Sequence, residues 1–134
     1  MNKRVLFLCS GNSCRSQMAE AIVNARLGDA WQAFSAGTRP AGFVHPLTEA
    51  ALAEIGIRHA GRSKSVDEFR GMDFDLVVTV CDTAEEECPA WIGRGIKEHY
   101  CYPDPAILGT IEVFRLVRDA IEQEIIPLLV THAD

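Results

Sequence analysis

Apolar residues fall along this chain in blocks whose period switches from strand to helix and back. Val5-Leu6-Phe7-Leu8 is a continuous apolar run of strand length, so residues 3 to 8 predict a short buried strand. Residues 16 to 27 predict a helix, with Met18, Ile22 and Ala25 at helical spacing and Gly28 as its stop. Trp31 to Ser35 fits a second strand, closed by Ala36-Gly37. Pro46 is placed as a first helical residue, with Leu47, Ala51 and Ile55 on one face and Gly56 past the end. Ser65-Val66-Asp67-Glu68 matches a capping box, so a short helix is expected there. Leu76 to Val80 is the clearest strand, and Lys97 to Tyr102 is a further candidate. The final helix has the strongest pattern, on Phe114, Val117, Ile121, Ile125 and Leu128, with Pro127 expected to kink it or end it early.

The order β-α-β-α-(α)-β-β-α predicts an α/β fold. It is read as one domain over residues 1–134, with a mostly parallel four-stranded sheet flanked by helices. Right-handed crossovers then gather the loops that follow the strands at one edge of the sheet, where open α/β sheets bind ligands. Cys9 follows the first strand and Cys81 follows the Leu76–Val80 strand, so both are expected on that edge.

Composition narrows the partners. A net charge of -6 argues against nucleic acid, which calls for a basic face, but not against a small anion in one local positive pocket. No apolar run approaches the ~20 residues of a membrane span. The opening run is too short for a signal peptide's apolar region, so a cytoplasmic protein is expected, with a monomer as the default. Five cysteines, an odd number, speak against a disulfide framework in such a compartment. No C-x2-C pair is present, so no metal site is expected. Packing, catalysis and redox chemistry remain as roles for the cysteines.

The stretch CSGNSCRSQ, residues 9 to 17, carries the first chemistry. Cys9 and Arg15 form C-x5-R, a weak motif alone. Here it bridges a strand and a helix N-terminus, where backbone N–H groups and the helix dipole favour negative charge. Gly11 and Asn12 tolerate the left-handed backbone of an anion-cradling nest. Arg15 has the planar fork that grips an oxyanion with two parallel hydrogen bonds. The oxyanion-binding set is therefore Ser10, Gly11, Asn12, Ser13, Cys14, Arg15 and Ser16, with Cys9 as a thiolate nucleophile and Ser16 positioned to donate to it. A buried cysteine and an unrelated surface arginine is the plainer reading, and the context counts against it.

Attack of a thiolate on a tetrahedral oxyanion needs an acid for the leaving oxygen. Asp104, held between Pro103 and Pro105, is the candidate. Spacing alone leaves an ordinary turn aspartate equally open. Cys81 and Cys88 enclose Asp82-Thr83-Ala84-Glu85-Glu86-Glu87, too polar for core, so Cys88 is expected at the surface and reactive.

CSGNSCRSQ, Ser35-Ala36-Gly37, the strand into Cys81, Cys88-Pro89 and Asp104-Pro105 together resemble the thioredoxin-coupled arsenate reductases, which share the low-molecular-weight protein tyrosine phosphatase fold. The resemblance runs in order through essentially the whole chain. It implies that Cys9 attacks arsenate held by the loop and Arg15, and that Asp104 protonates the leaving hydroxyl. Cys81 then attacks the Cys9–arsenic adduct, releasing arsenite and leaving a Cys9–Cys81 disulfide. Cys88 attacks Cys81, and reduced thioredoxin, the external reductant, resets the Cys81–Cys88 bond. In a continuous helix residues seven apart lie roughly 10.5 Å apart, and a disulfide needs Cα atoms within about 7 Å, so the implied bond requires segment 82 to 88 to change conformation. No bound cofactor is implied, and phosphate or sulfate would compete as oxyanions. Several members hold potassium with residues matching Asn12, Glu20 and Ser35 and an aspartate. Lys64 falls at the aspartate position here, so no potassium site is expected.

The alternative is a low-molecular-weight tyrosine phosphatase working through a Cys9 phosphoenzyme. Such phosphatases resemble this chain less where Gln17 replaces a usual proline, and where Ala106-Ile107 follows Asp-Pro in place of an aromatic. They also have no need of Cys81 and Cys88. Some residual phosphatase activity is expected, since arsenate and phosphate are close in shape and charge. A redox sensor is a third reading, set aside because it has no use for a leaving-group acid. His45, His59, His99 and His132 share no metal spacing and are read as structural or surface, with His45 as a possible helix cap. Trp31 and Trp91 are assigned to packing, and so are Cys14 and Cys101.

Overall fold

The computed structural model describes residues 2–81 and 96–133. Four parallel strands form one sheet: β1 (Lys3–Cys9), β2 (Trp31–Gly37), β3 (Leu76–Thr79) and β4 (Ile96–His99), in the spatial order β2-β1-β3-β4. The helices among the described residues are α1 (Arg15–Leu27), α2 (Pro46–Ala53) and α3 (Ile111–Thr131), with a 3-10 turn at Val66–Phe69. This is the expected single α/β domain with a parallel sheet. Val5, Leu6, Phe7 and Leu8 are wholly buried, because β1 lies between two strands with helices over the sheet. From β1 the chain runs to β2 on one side and later to β3 on the other. The crevice beyond the carboxyl ends of β1 and β3 is therefore the topological switch point.

Several expectations shift in detail. β2 extends to Gly37 because Cys9 still pairs with it in register, and Gly37 N–H also reaches Lys64 O. α1 buries Met18 and Ile22, but Ala25 is exposed, and the helix buries Ser16 and Gln17 instead. Gly56 takes φ +81, a left-handed end to the turn after α2. The capping box is half made. Ser65 accepts from Asp67 N–H, while Glu68 turns away to pair with Arg62, and the segment winds only as a 3-10 turn.

α3 continues through Pro127 to Thr131. Its buried stripe ends on Leu129 rather than Leu128. Leu129 O accepts from Trp31 Nε1, tying the helix end to β2. α2 is fastened to α3 by ions: Glu54 takes Arg115 at 2.6 Å and Arg118 at 2.8 Å, and Arg118 also donates to Ala51 O. No helix among the described residues is long and apolar enough to cross a membrane.

Candidate active site

The loop from Cys9 to Cys14 leaves β1 and enters α1 with its carbonyls turned outward. Cys9 O accepts from Thr38 N, Ser10 O from Arg39 N, and Gly11 O from Ala41 N and Ser63 Oγ. Asn12 O accepts from Gln17 Nε2, Ser13 O from His45 N and Thr48 Oγ1, and Cys14 O from Met18 N. In a trans peptide the C=O and the following N–H point in opposite directions. With the carbonyls outward, the N–H groups of Ser10 to Arg15 face the inside of the loop, where Cys9 Sγ stands. Asn12 N–H reaches that sulfur at 3.2 Å. The result is a nest of donors at a helix N-terminus that has no acidic residue in its first turn.

Asn12 alone in the loop takes the left-handed conformation, at φ 49. Gly11 does not, and a Cβ there would make only ordinary contact with Ala41, so its lack of a side chain is not what the nest requires. Asn12 is wholly buried, with its side chain behind the loop. Its Oδ1 accepts from Gln17 Nε2 and Lys64 N, and its Nδ2 donates to Ser16 Oγ. Gly37 supports the loop from below at very close range, since a Cβ there would fall 3.1 Å from Asn12 Cβ and on top of Ser10 O.

Cys9, Ser10, Gly11, Ser13, Cys14, Arg15 and Asp104 line one cavity of about 180 Å³. That is below the ~300–1,000 Å³ typical of drug-sized ligands and suits a small ion. Asn12 and Ser16, expected in the oxyanion set, are not on its wall. Ser16 is wholly buried and lies 2.8 Å from Cys9 Sγ, on the far side of the sulfur. Arg15 donates through Nη1 to Tyr102 O, and its buried Nε has no partner among the described residues. Asp104 Oδ1 accepts from Ala106 N–H at 3.0 Å, an Asx turn that fixes the carboxyl at the cavity wall. Burial pushes the Cys14 thiol up to about 11, so it stays protonated at neutral pH.

Cys81 is buried just past β3, beside β1, on the edge that carries Cys9. Cys88, Trp91 and the expected rearrangement of residues 82 to 88 lie outside the described residues. Cys101 is exposed. Lys64 Nζ stands 3.8 Å from Glu20 Oε1 and 3.4 Å from Ser35 Oγ, within the set that the resemblance ties to a cation. Asp67 turns away toward Arg70. No group of metal-ligating side chains occurs among the described residues.

Three features escaped the sequence reading. His45 caps α2, accepting Leu47 N–H at Nδ1 as expected, but it also lines the cavity. Phe43, 56% exposed, forms an aromatic wall of the same cavity, supplied by a different segment from the one after Asp104. Gln17 and His59 join in a hydrogen bond of 2.6 Å behind the loop. The outward carbonyls of Cys9, Ser10, Gly11 and Ser13 could not be foreseen, because their partners at 38 to 48 and 63 are brought in by tertiary folding.

Residues 4–133 match the family model for low molecular weight phosphotyrosine protein phosphatase. The chain is 45% identical over 132 residues to an arsenate reductase of Halalkalibacterium halodurans, covering 93% of this chain and 94% of that one. In structure it is similar to an arsenate reductase solved in the phosphate binding state, with a TM-score of 0.86, 32% identity, and coverage of 96% and 98% of the two chains. It is also similar to the YwlE arginine phosphatase of Geobacillus stearothermophilus, with a TM-score of 0.75, 28% identity, and coverage of 90% and 86%. A donor-lined loop between β1 and α1 and the match along nearly the whole chain lead to one assignment: this protein belongs to the low molecular weight phosphotyrosine protein phosphatase family, in the part of it that includes arsenate reductases.

Proposed function

We propose that this protein reduces arsenate to arsenite, with Cys9 as nucleophile, Cys81 and Cys88 as successive thiols, and thioredoxin as the external reductant. The nest of N–H groups and Arg15 hold the oxyanion over Cys9. The Cys9 thiolate attacks arsenic, and Asp104 gives its proton to the departing hydroxyl, which leaves as water. The Cys81 thiolate then attacks Cys9 Sγ. The sulfur–arsenic bond breaks, its electron pair stays on arsenic, and As(V) becomes As(III) as a Cys9–Cys81 disulfide forms. Cys88 attacks Cys81 and frees Cys9, and a thioredoxin dithiol takes over the Cys81–Cys88 disulfide. Such a relay needs a reducing compartment, which is the ground for placing the protein in the cytoplasm. Phosphate and sulfate, of the same shape, compete for the nest.

The observation that carries this reading is the position of Cys81, buried past β3 beside the strand that ends in Cys9. A second thiol at that place gives the nucleophile an electron source. The test is arsenate turnover with thioredoxin, thioredoxin reductase and NADPH for the wild type, Cys81→Ser and Cys88→Ser. Both variants are expected to lose turnover while keeping para-nitrophenyl phosphate hydrolysis. Unchanged turnover in either variant refutes the relay.

A phosphomonoesterase reading draws support from Phe43, whose ring borders the cavity and offers an aryl leaving group a stacking surface. It requires that Phe43→Ala weaken para-nitrophenyl phosphate turnover and spare turnover of arsenate, which has no aryl group.

A further inference from the structure

We propose that His59 is a positioning residue of the active-site loop, acting on Cys9 through Gln17 and Asn12. The inference takes from the proposed function only that Cys9 is the reacting thiol.

Gln17 Nε2 is 3.2 Å from Asn12 O, 3.0 Å from Asn12 Oδ1 and 2.9 Å from Arg62 O. All three are carbonyl oxygens, so the nitrogen of the Gln17 amide must occupy that side. Its oxygen then faces His59, and the 2.6 Å contact of His59 Nε2 with Gln17 Oε1 requires the imidazole proton on Nε2. Burial keeps His59 below its ordinary pKa, so the neutral Nε2–H form persists at neutral pH.

The bond therefore reinforces, from the other end of the amide, the orientation that the three carbonyl oxygens favour. An amide turned over would set its oxygen against three carbonyl oxygens and leave Asn12 O without its donor. Asn12 is the one left-handed residue of the loop, and that conformation aims its N–H at Cys9 Sγ. The chain of contacts runs from a half-buried histidine to the reacting sulfur without touching the anion cavity.

Gly61 supplies a second observation. A Cβ on Gly61 would fall on His59 Nε2 and Gln17 Oε1 together, the two ends of this hydrogen bond. Gly61 has no positive φ to explain it, so its backbone approach over the bond is what excludes a side chain.

The test measures the rate of Cys9 alkylation by iodoacetamide against pH, read at the Cys9 peptide by mass spectrometry, with inorganic phosphate affinity by calorimetry beside it. His59→Ala and Gly61→Ala are each expected to raise the pH of half-maximal alkylation by about half a unit or more, the size of one lost hydrogen bond. Phosphate affinity should fall several-fold in the same two variants. His59→Gln, which returns an N–H near the position of Nε2, should restore both. A purely structural role would lower the melting temperature and leave the alkylation midpoint in place. An unmoved midpoint in His59→Ala or Gly61→Ala overturns the inference, as does an equal shift in His59→Gln. None of these readings requires arsenate turnover, so failure of the proposed reductase activity would show separately, in the coupled assay.

Discussion

Ser16 Oγ lies 2.8 Å from Cys9 Sγ and accepts from Asn12 Nδ2 at 2.8 Å. A thiolate has no hydrogen to give, so with Cys9 ionised the Ser16 hydroxyl is the donor of this bond. Removing it leaves the thiolate with Asn12 N–H as its other described donor.

Ser16→Ala is therefore expected to slow the Cys9-dependent step about tenfold to a hundredfold, the effect of one hydrogen bond to a charged group. Single-turnover kinetics with para-nitrophenyl phosphate read this directly. A rate within twofold of the wild type would show that the hydroxyl contributes nothing to the thiolate.

Asp104→Asn removes the proton donor while keeping the shape and the Asx-turn acceptor to Ala106 N–H. Turnover should fall by roughly 10²- to 10⁴-fold, the usual range for a positioned acid, with phosphate affinity little changed. Loss of phosphate affinity in step with turnover would assign Asp104 to binding instead.

Gly37→Ala pushes a methyl group into Ser10 O and Asn12 beneath the loop. Overpacking against backbone costs about 1–3 kcal/mol, so the melting temperature should drop and phosphate binding should weaken together. A crystal structure of the variant with the loop unmoved and affinity intact would contradict this.

Glu54 has its carboxyl held down to about 2, chiefly by its hydrogen bonds with Arg115 and Arg118. A carboxylate depressed in the folded state stabilises the fold above its unfolded value, and that contribution is lost as pH falls from about 4.5 toward 2. Thermal melts across that window should fall less steeply for Glu54→Gln than for the wild type. The difference should shrink in 1 M salt, because the pair is exposed. Parallel curves at low salt would remove Glu54 from the acid response.

The sheet and its helices were legible because burial imposes period. Val5 to Leu8 and Leu76 to Val80 lie in a sheet covered by helices, and their sequences are accordingly apolar but for Thr79. Ala25 misled the helix reading, since apolar residues also occur on exposed helix positions, while Leu128 packs against the core from its edge and Leu129 takes the buried place. Cys9, Arg15 and Asp104 could be chosen because few residue types perform their chemistry, and all three line one cavity. Ser16 was read as a partner of Cys9 and stands beside its sulfur, while the side chains of Asn12 and Ser16 lie behind the cavity wall, where only tertiary folding puts them. Gln17 and His59 carried no local signal, for their partnership spans 42 residues and exists only after folding. Phe43 was missed for the same reason: nothing near it in the chain says that it will meet the cavity.

Lys64 N–H binds Asn12 Oδ1 and Lys64 O binds Gly37 N–H, so the anion loop is closed by a residue synthesised long after it. A nascent chain that has not yet exposed Lys64 holds every residue of the loop but lacks the strut that runs from Asn12 to Gly37 through Lys64. The thiol gains its full setting only when translation has passed the middle of the chain. A ribosome-bound fragment ending before that point should carry an ordinary cysteine at position 9.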